Sequence, residues 1–569
     1  MSVAIGALLA LAAAATISIL FYDRFWYAPD DGAYAHIASR MLQGDVLNGD
    51  VQDVHAGYIN FVNADAMARF GVDFLSLRIP LAFLTILQAL VVYLVLRRGG
   101  ILLAFAGSLA VSSLSFVQFL NPTAHWYCLF LVLLVPVIVS RVPGQGWLRL
   151  ILLGLLVGTI AMFRQLTGVI VAIAVFGWLM MEGSAPGAPR YWTPRLLMLG
   201  LALLVGLYVF KYADPAIAVI FGLWPVALLL VAGWQASVTP RECLRIVGGL
   251  SLGAALACLP LLTYHIQHAS LATWYSDTVL AAFRIPQLAF IDAQSFTSFA
   301  MLVVPQLGEW RSPTAVLNAL FWLALILLPL VNGIAVLRRL QLGTITFGAA
   351  GALLWCASFY SLVALHYQIP IYLFYITGLN AAALAASAIS ARPIPRAMVS
   401  ATLVGVSVIA LYFHAGQSLM RGVEGTIRGE RGEEVVACDL PHCSLRLEPR
   451  DVRIYRELVE RIATRSTPHD CILALPSDAE LYLLSERCNP TRFFNSALGL
   501  RTEEDVDALL AKLESRPPAM LIHRPQDKYN TALTQRLVQL VRPRYRRQEQ
   551  VGEFAIFWQP TQPGEDLQP

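Results

Sequence analysis

Long apolar segments recur along the chain from its N-terminus to about residue 415. Each is about 17 to 22 residues long, enough for a helix to cross the ~30 Å hydrocarbon core of a bilayer. After this point apolar runs shorten to about five to eight residues, and charged residues occur throughout, as in a soluble domain. We therefore predict a transmembrane module over residues 1–415 and a soluble α/β domain over residues 416–569. About thirteen transmembrane helices are expected, near residues 2–21, 78–96, 100–118, 124–140, 147–163, 167–181, 195–211, 215–234, 243–263, 314–332, 344–362, 370–388 and 397–415.

The composition excludes an ordinary soluble protein. The 569 residues are 57% hydrophobic and 14% charged, and the mean hydropathy is +0.62, a balance that soluble globular chains do not tolerate. Residues 2–20 lack the basic start and the small-residue cleavage site of a signal peptide, so we interpret them as a retained first helix. The net charge of +4 says little by itself, and we expect membrane lipids but no nucleic acid as partners.

The arginine pattern sets the expected orientation. If the N-terminus is cytoplasmic, every predicted inner loop carries two arginines, as the positive-inside rule requires. These pairs are Arg97/Arg98, Arg141/Arg149, Arg190/Arg195, Arg241/Arg245, Arg338/Arg339 and Arg392/Arg396. Three large regions then face outward: a first outer loop (residues 22–77), a second outer loop (residues 264–313) and the C-terminal domain. We expect a bacterial inner-membrane protein whose function lies on the periplasmic side.

The first outer loop has the pattern of two surface helices. The first is expected to start at Asp31 and to end at Gly44, and the second starts near Tyr58 and stops at Gly71. Such helices suit the bilayer surface, with Trp26 at the level of the lipid headgroups.

Two carboxylates, Asp30 and Asp31, directly follow the first predicted span. Acidic residues are costly beside hydrocarbon unless they are solvated or used. Asp31 suits the N-cap of the helix that follows. Asp30 has no such structural duty, and a carboxylate at this position can act as a general base if an acceptor hydroxyl reaches it. Asp53 and His55 are candidate neighbours, although a solvated loop explains them equally well.

The C-terminal domain carries four of the eight cysteines, Cys438, Cys443, Cys471 and Cys488. An oxidising compartment permits two disulfides here. Three connectivities and four free thiols are open, and we favour Cys438–Cys443 with Cys471–Cys488. The spacing is not that of a zinc site.

Short β-type runs in this domain, CILALP, AMLIHRP and FAIFWQP, alternate with helical patterns over 450–465 and 502–514. Tyr482, Arg492 and His523 are candidates for acceptor contact, but core or surface positions explain them more simply.

Several motifs together resemble a known family. The first is Pro29-Asp30-Asp31-Gly32-Ala33-Tyr34, and the second is Asp53-Val54-His55-Ala56-Gly57-Tyr58. Arg164-Gln165 with Gly168 lies between two predicted spans, His366-Tyr367 with Pro370 precedes the twelfth, and LALPSDAELYLLSERCNPTRF in the C-terminal domain looks like the strand-and-turn opening of an outer domain. In this order they resemble the GT-C membrane glycosyltransferases, in particular glycosyltransferase family 39, the protein O-mannosyltransferase and aminoarabinose-transferase group. Two features depart from that pattern: Ala56-Gly57 follows His55 where the family commonly has Pro-Pro, and the acidic pair is Asp-Asp where it is often Asp-Glu.

The resemblance implies a GT-C-like fold and an enzyme that takes its sugar from a polyprenyl phosphate. By this resemblance Asp30, with Asp31 beside it, is the catalytic base, and Asp53, His55 and Tyr58 form the acceptor or metal neighbourhood. Cations and polar groups must hold the charge that grows on the leaving phosphate. The candidates for that role are Arg164, Gln165, Lys211, Arg284, His366 and Tyr367. Snorkelling to the membrane surface is the alternative explanation for Arg164 and the simpler one for Lys211, and plain exposure is the alternative for Arg284.

The resemblance leaves a divalent cation open, because some GT-C branches depend on a metal and others do not. It also leaves open the sugar and whether the acceptor is a glycan, a lipid or a protein. Two other functions compete with the transferase. One is a transporter of polyprenyl lipids or glycolipids, and the other is an inactive scaffold of envelope glycan assembly. Against the transporter, the sequence has no inverted repeat with paired broken helices.

Overall fold

The structure, a computed structural model, describes residues 2–184, 189–285, 288, 295–341, 348–417, 425 and 434–559. The chain divides into two compact units. The membrane unit comprises residues 1–22, 81–261 and 293–431, and the outer unit comprises residues 23–80, 262–292 and 432–569. This division differs from the linear one predicted above. The first outer loop and the first part of the second outer loop cluster with the C-terminal domain.

The predicted polytopic helical class is confirmed, with a different number of full-length spans. Among the described residues, eleven helices are long and apolar enough to cross a membrane, and Trp147–Phe163, Phe296–Gly308 and Ala349–Ala364 are shorter apolar helices. Two of the thirteen predicted spans, 147–163 and 344–362, correspond to shorter helices, and residues 342–347 lie outside the described residues. The apolar helix at 296–308 was not predicted.

The helices of the membrane unit follow the apolar segments closely. Five of them begin at a proline, which fits the first turn because it has no N–H to leave unpaired. The α-helices are Ser2–Phe21, Ile79–Leu96, Ile101–Ser113, Ala124–Arg141, Trp147–Phe163, Gln165–Glu182, Trp192–Tyr212, Pro215–Ile217, Leu223–Gln235, Pro240–Gln267, Phe296–Val303, Pro313–Gln341, Ala349–Tyr360, Pro370–Ser387 and Pro393–Phe413. A π-helical turn spans Ala218–Gly222, and 3₁₀ turns span Arg97–Gly99, Phe116–Gln118, Val304–Gly308 and Ser361–Ala364.

Close backbone approach joins two helices of this unit, Trp147–Phe163 and Pro240–Gln267. A Cβ atom added to Gly154 would lie 2.2 Å from the Leu250 carbonyl oxygen, and one added to Gly253 would lie 2.1 Å from that of Ile151. Small residues at such contacts allow the dense packing that holds helices together in lipid.

The outer unit combines short helices with a small sheet. Its α-helices are Ala28–Leu42, Tyr58–Phe70, Leu271–Trp274, Ala281–Arg284, Pro449–Arg465, Glu480–Leu484, Ser496–Gly499, Glu503–Ser515 and Ala532–Val541, with 3₁₀ turns at Leu75–Leu77 and Arg542–Arg544 and a π-helical turn at Tyr275–Leu280. Its strands are β1 (Val436–Ala437), β2 (Arg446–Leu447), β3 (Ile472–Leu475), β4 (Met520–His523), β5 (Arg547–Val551) and β6 (Phe554–Trp558). β1 and β2 pair antiparallel, and the larger sheet has the order β3-β4-β6-β5.

The predicted α/β character of the C-terminal domain is confirmed. The three apolar runs form β3, β4 and β6, in which β3 pairs parallel with β4, and β4 pairs antiparallel with β6. The edge strand β5 was not predicted, because its sequence, RQEQV, is largely polar. Thr502 caps the helix Glu503–Ser515 in a capping box with Asp505. One face of the sheet contributes Leu473, Leu521 and Phe557 to an apolar core.

The two helices of the first outer loop are present with corrected details. The first spans Ala28–Leu42, so it begins three residues before the predicted start, and the second spans Tyr58–Phe70 with Gly71 as its C-cap. The headgroup position expected for Trp26 is wrong. Its side chain is buried, its Nε1–H donates to Asp451 Oδ2 at 3.0 Å, and its ring meets that of Tyr455 edge to face.

Candidate active site

The first turn of the helix Ala28–Leu42 presents both predicted catalytic carboxylates. Tyr27 is the N-cap, and Pro29 fits the first turn by its fixed φ. Asp30 and Asp31 both lie in the first turn, where the positive end of the helix dipole favours anions. The expectation that Asp31 is the N-cap is therefore wrong. Asp31 instead reaches back, and its Oδ2 accepts the Tyr27 N–H at 3.0 Å.

Asp31 is held in a buried ion pair. Arg78 Nη2 donates to Asp31 Oδ1 at 2.9 Å, and the two side chains are 0% and 1% exposed. Arg78 Nη1 also donates to the Arg24 carbonyl oxygen at 3.0 Å. Burial raises the pKa of Asp31, and Arg78 and the Tyr27 N–H counter part of that rise. Both oxygens of Asp31 are thus engaged by the protein, which leaves this carboxylate a structural role.

Asp30 differs from its neighbour because its side chain remains partly exposed. Its charge interacts with that of Lys528, from the segment that follows β4. The Lys528 ammonium lies 5.8 Å from the centre of the Tyr27 ring and 5.0 Å from that of Tyr529. Of the tandem pair, Asp30 is therefore the carboxylate that a substrate can reach.

Asp53 and His55 form a second pair in the outer unit. Asp53 is buried, its Oδ1 lies 3.0 Å from His55 Nδ1, and Asn60 Nδ2 donates to its Oδ2. Burial raises the pKa of Asp53, but the His55 charge and the hydrogen bonds outweigh burial and lower it overall. The Asp53 carboxylate accepts the Nδ1–H of His55, which fixes the orientation of the ring.

Tyr34, on the helix that carries Asp30 and Asp31, lies close to the His55 ring. The Tyr34 ring lies one turn after Asp30, and its centre is 5.8 Å from that of His55. Tyr58, the remaining residue of the predicted acceptor neighbourhood, begins the next helix and is partly exposed.

The ligands suggested for a divalent cation do not converge. Asp31 is bound to Arg78, and both oxygens of Asp53 accept hydrogen bonds from protein groups. Among the described residues, no group of three or more His, Cys, Asp or Glu side chains is arranged to hold a metal ion. The side chains present therefore do not fit the metal site that the sequence left open, and no step below uses a metal.

In the membrane unit, two predicted phosphate-binding residues, Arg164 and His366, meet at one guanidinium group. Arg164 lies between the helices Trp147–Phe163 and Gln165–Glu182. Its Nη2 lies 3.1 Å from His366 Nε2 and donates to the Tyr372 hydroxyl at 3.2 Å. Gln165 is the first residue of the following helix and is partly exposed.

The His366 ring accepts a hydrogen bond from Arg164. Its Nδ1 lies 3.0 Å from the Val363 carbonyl oxygen, so Nδ1 carries the proton and Nε2 accepts from Arg164. Burial and then the Arg164 charge lower the pKa of His366 to about 3, which keeps the ring neutral. The guanidinium thus keeps its positive charge in these two contacts.

Aromatic rings cluster at Tyr372, whose ring centre lies 6.0 Å from the guanidinium carbon of Arg164. The centres of the Tyr367 and Tyr372 rings are 5.4 Å apart, and those of the Tyr372 and Tyr375 rings are 5.1 Å apart. His125 stacks on Tyr375 at 3.7 Å. His125, Tyr372 and Tyr375 were not predicted. Their signal was the aromatic composition of two apolar helices, which looks the same as ordinary core.

Two predicted phosphate-binding residues are not brought to the Arg164 group by any described contact. Lys211 is exposed in the last turn of Trp192–Tyr212, with its ammonium over the Tyr212 ring. Arg284 belongs to the outer unit, where it is exposed and donates to the Leu280 and Ser276 carbonyl oxygens of the preceding π-helical turn. Their assignment to donor binding stays a prediction.

The C-terminal candidates have structural surroundings. Tyr482 is buried, and its hydroxyl accepts the Ala474 N–H at 3.1 Å. Arg492 pairs with the buried Asp277, and Arg501 pairs with the same carboxylate. His523 is largely buried at the end of β4, on the wall of a cavity of about 570 Å³.

Two disulfides are formed in this domain, Cys438–Cys443 and Cys471–Cys488, with Cα–Cα distances of 5.8 and 4.4 Å. They are the pairings that the sequence analysis favours.

Two solved structures are similar to this chain. The crystal structure of ArnT from Cupriavidus metallidurans bound to undecaprenyl phosphate is 13% identical, covers 97% of both chains and gives a TM-score of 0.40. ArnT from the same organism in the apo state is 12% identical over the same 97% of each chain, with a TM-score of 0.39. No family model and no curated protein sequence matches the chain.

Proposed function

We propose that this protein is an inverting glycosyltransferase that moves a sugar from a polyprenyl phosphate to an acceptor hydroxyl at the outer face of the inner membrane. The observation that supports it most directly is the division of labour in the tandem carboxylates. Arg78 holds Asp31 in a buried pair, and Asp30, one residue earlier in the same helical turn, stays partly exposed. A tandem pair arranged in this way offers one accessible base on a rigid support.

In the proposed reaction Asp30 removes the proton of the acceptor hydroxyl as its oxygen attacks C1 of the sugar. The new C1–O bond forms while the bond from C1 to the phosphate oxygen breaks, and the electron pair leaves with the polyprenyl phosphate. The transition state of this step resembles an oxocarbenium ion, as in other glycosyl transfers. One displacement inverts the anomeric centre, and Asp30 ends the step protonated.

Arg164 is the proposed site for the leaving phosphate. Its guanidinium contacts two neutral groups, His366 Nε2 and the Tyr372 hydroxyl. A cation that is already oriented by such contacts stabilises a growing negative charge with little reorganisation, an effect of several kcal/mol in other sites. A guanidinium also matches phosphate oxygens with two parallel donors.

His55 is proposed to contact the acceptor. Asp53 fixes the tautomer of its ring and leaves Nε2 for a substrate hydroxyl. The identity of the sugar and the class of acceptor follow from none of these contacts, and the proposal extends to a glycan, a lipid or a protein hydroxyl.

Donor binding tests the proposal first. We expect one polyprenyl-phosphate sugar from a small panel to raise the melting temperature of the purified protein more than free polyprenyl phosphate does. Arg164→Met should abolish most of that rise, because the phosphate loses its cation. Arg141→Gln serves as the matched control, since Arg141 is an exposed arginine at the end of another helix of the same unit. If no polyprenyl phosphate stabilises the wild type, the proposal is wrong and the scaffold function is favoured. Stabilisation by free and sugar-linked lipid alike, without transfer, would favour a transporter.

A further inference from the structure

Lys528 reaches the Asp30 site from a part of the sequence that carries no recognised motif. Its charge interacts with the carboxylates of Asp30 and Asp527, and its ammonium lies over the rings of Tyr27 and Tyr529. Tyr27 is the N-cap of the helix that carries Asp30, and the two are joined by a hydrogen bond from the Asp30 N–H to the Tyr27 carbonyl oxygen at 3.0 Å. The ammonium therefore lies at the N-terminal turn that holds the proposed base.

Buried charged side chains hold the segment that carries Lys528. Arg524 pairs with Asp478 and, at 2.9 Å, with Asp527, and all three side chains are at most 8% exposed. The Tyr529 N–H donates to Asp527 Oδ1 at 2.8 Å. These contacts fix the residues on both sides of Lys528, so the backbone of this segment is held in place while the Lys528 side chain itself is exposed.

The helix itself rests on the same buried group. A Cβ atom added to Gly32 would lie 2.5 Å from the backbone nitrogen of Glu480, so the helix backbone lies directly against this segment. Glu480 is two residues from Asp478, is fully buried and accepts a hydrogen bond from the Tyr455 hydroxyl at 2.8 Å. A continuous set of contacts thus runs from the Asp30 helix through residues 478–480 and Arg524 to Lys528.

The place of this lysine is unusual on two counts. The N-terminal end of a helix favours anions, so a cation there is at a disadvantage unless other groups offset it. The chain also uses arginine almost everywhere, and its only lysines are Lys211, Lys512 and Lys528. Lysine provides a compact point charge on a flexible stem, whereas arginine provides a rigid planar fork. The two carboxylates and two aromatic faces offset the cost of the cation at this position.

We propose that Lys528 is a positioning residue of the Asp30 site, whose ammonium keeps the Asp30 carboxylate in its basic form for the acceptor. This inference rests on the proposed transferase function and deepens it, because it makes the C-terminal domain a part of the proposed active site. The charged and titratable groups around the pair are Asp527 and Tyr529 from the same segment, Tyr27 and Asp31 from the helix end, and the buried residues Arg524, Asp478 and Glu480.

The first test is the pH dependence of transfer in Lys528→Met and Lys528→Arg. Without the ammonium, the acid limb of kcat/KM should move up by about one pH unit, the shift that one nearby opposite charge typically gives. Activity on the acid side then falls about tenfold, while the plateau at higher pH changes less than about threefold. Lys528→Arg should keep the limb near its wild-type position. A purely structural role would instead lower the plateau and the melting temperature with the limb unmoved, and that result would overturn the proposal.

The second test needs no activity. The three lysines can be modified by an amine-reactive acetylating reagent at pH 8 and quantified by peptide mass spectrometry, with the exposed Lys512 as internal control. Desolvation lowers the pKa of Lys528, and the Asp30 charge counters part of that fall, so Asp30→Asn should lower the pKa further and increase the fraction of free amine. We expect Lys528 to react about threefold faster or more in Asp30→Asn, with Lys512 unchanged. An unchanged Lys528 rate would show that the two groups do not act on each other and would refute the inference.

The two tests separate the possible failures. If the wild type transfers sugar and Lys528→Met keeps a wild-type pH profile, the inference fails and the proposed function stands. If the wild type transfers no sugar from any polyprenyl phosphate, the proposed function fails, and the positioning role fails with it even when the labelling shows that Asp30 and Lys528 interact. Lys512→Met is the matched variant and should leave both readouts as in the wild type.

Discussion

Replacement of Asp31 by asparagine tests the structural role of Asp31, one of the two tandem carboxylates. Asparagine keeps the shape and an oxygen for the Tyr27 N–H, but it removes the counter-charge of Arg78. The guanidinium is 0% exposed and would then be buried without a compensating charge. Asp30→Asn, one residue away, changes a partly exposed group and should be close to neutral for stability.

The expected cost follows from this burial. Removing one partner of a buried ion pair typically costs roughly 3–5 kcal/mol, because the remaining charge is left in a medium of low polarity. In a domain of 150–250 residues, a loss of 1 kcal/mol in the free energy of unfolding lowers the melting temperature by roughly 2–4 °C. Asp31→Asn should therefore lower the melting temperature by roughly 6–20 °C. Asp31→Asn combined with Arg78→Gln leaves a neutral hydrogen-bonding pair and no buried unpaired charge, so the double variant should regain most of the loss.

Thermal unfolding of the purified variants in detergent, followed by tryptophan fluorescence, measures these effects. Trp26 lies in the same unit, close to the helix, and reports on its packing. The double variant separates the coupling between the two side chains from their individual effects. If Asp31→Asn melts within about 2 °C of the wild type, or if the double variant is less stable than both single variants, the buried pair does not have the role assigned to it.

Three further changes test the outer unit by thermal unfolding. Burial raises the pKa of Glu480 from 4.5 to about 7, so its contribution to stability is present below about pH 4.5 and is lost as pH rises through 7. Glu480→Gln should remove up to about 3 kcal/mol of this pH dependence, which melting curves between pH 5 and 8 would show. Replacing Cys471 and Cys488 by serine opens a loop with a sequence separation of 17 and should cost about 3 kcal/mol. Asp277→Asn leaves two arginines without their shared carboxylate and should cost roughly 2–4 kcal/mol, and a change below about 0.5 kcal/mol in either of these two variants would contradict their structural roles.

The helices and the sheet were largely predictable because their determinants are local. Apolar segments of sufficient length define the spans, and the three apolar runs of the C-terminal domain define β3, β4 and β6. The exceptions are elements with weak local signals. The strand β5 is mostly polar and exists because it pairs with β6. The helix Phe296–Gly308 is too short for the length criterion that identifies a span.

The partners of the candidate site residues could not be read from local patterns. Arg78 pairs with Asp31 across 47 residues, and Lys528 reaches Asp30 across almost five hundred. No spacing rule connects residues at such separations. Sequence favoured Asp31 as a cap because its side chain type suits one. Its actual role depends on a buried guanidinium that only tertiary structure supplies.

The most direct test of the proposed function is single-turnover transfer from a labelled polyprenyl-phosphate sugar by the wild type, Asp30→Asn and Asp65→Asn. Asp65 is the matched control, an exposed carboxylate on the second helix of the same loop that pairs with Arg69. We predict that Asp30→Asn still binds the donor, as measured by thermal stabilisation, and releases free polyprenyl phosphate at least about 100-fold more slowly, the lower range of a general-base contribution. Asp65→Asn should transfer at the wild-type rate. Transfer by Asp30→Asn within about threefold of the wild type would contradict the assignment of Asp30 as the base.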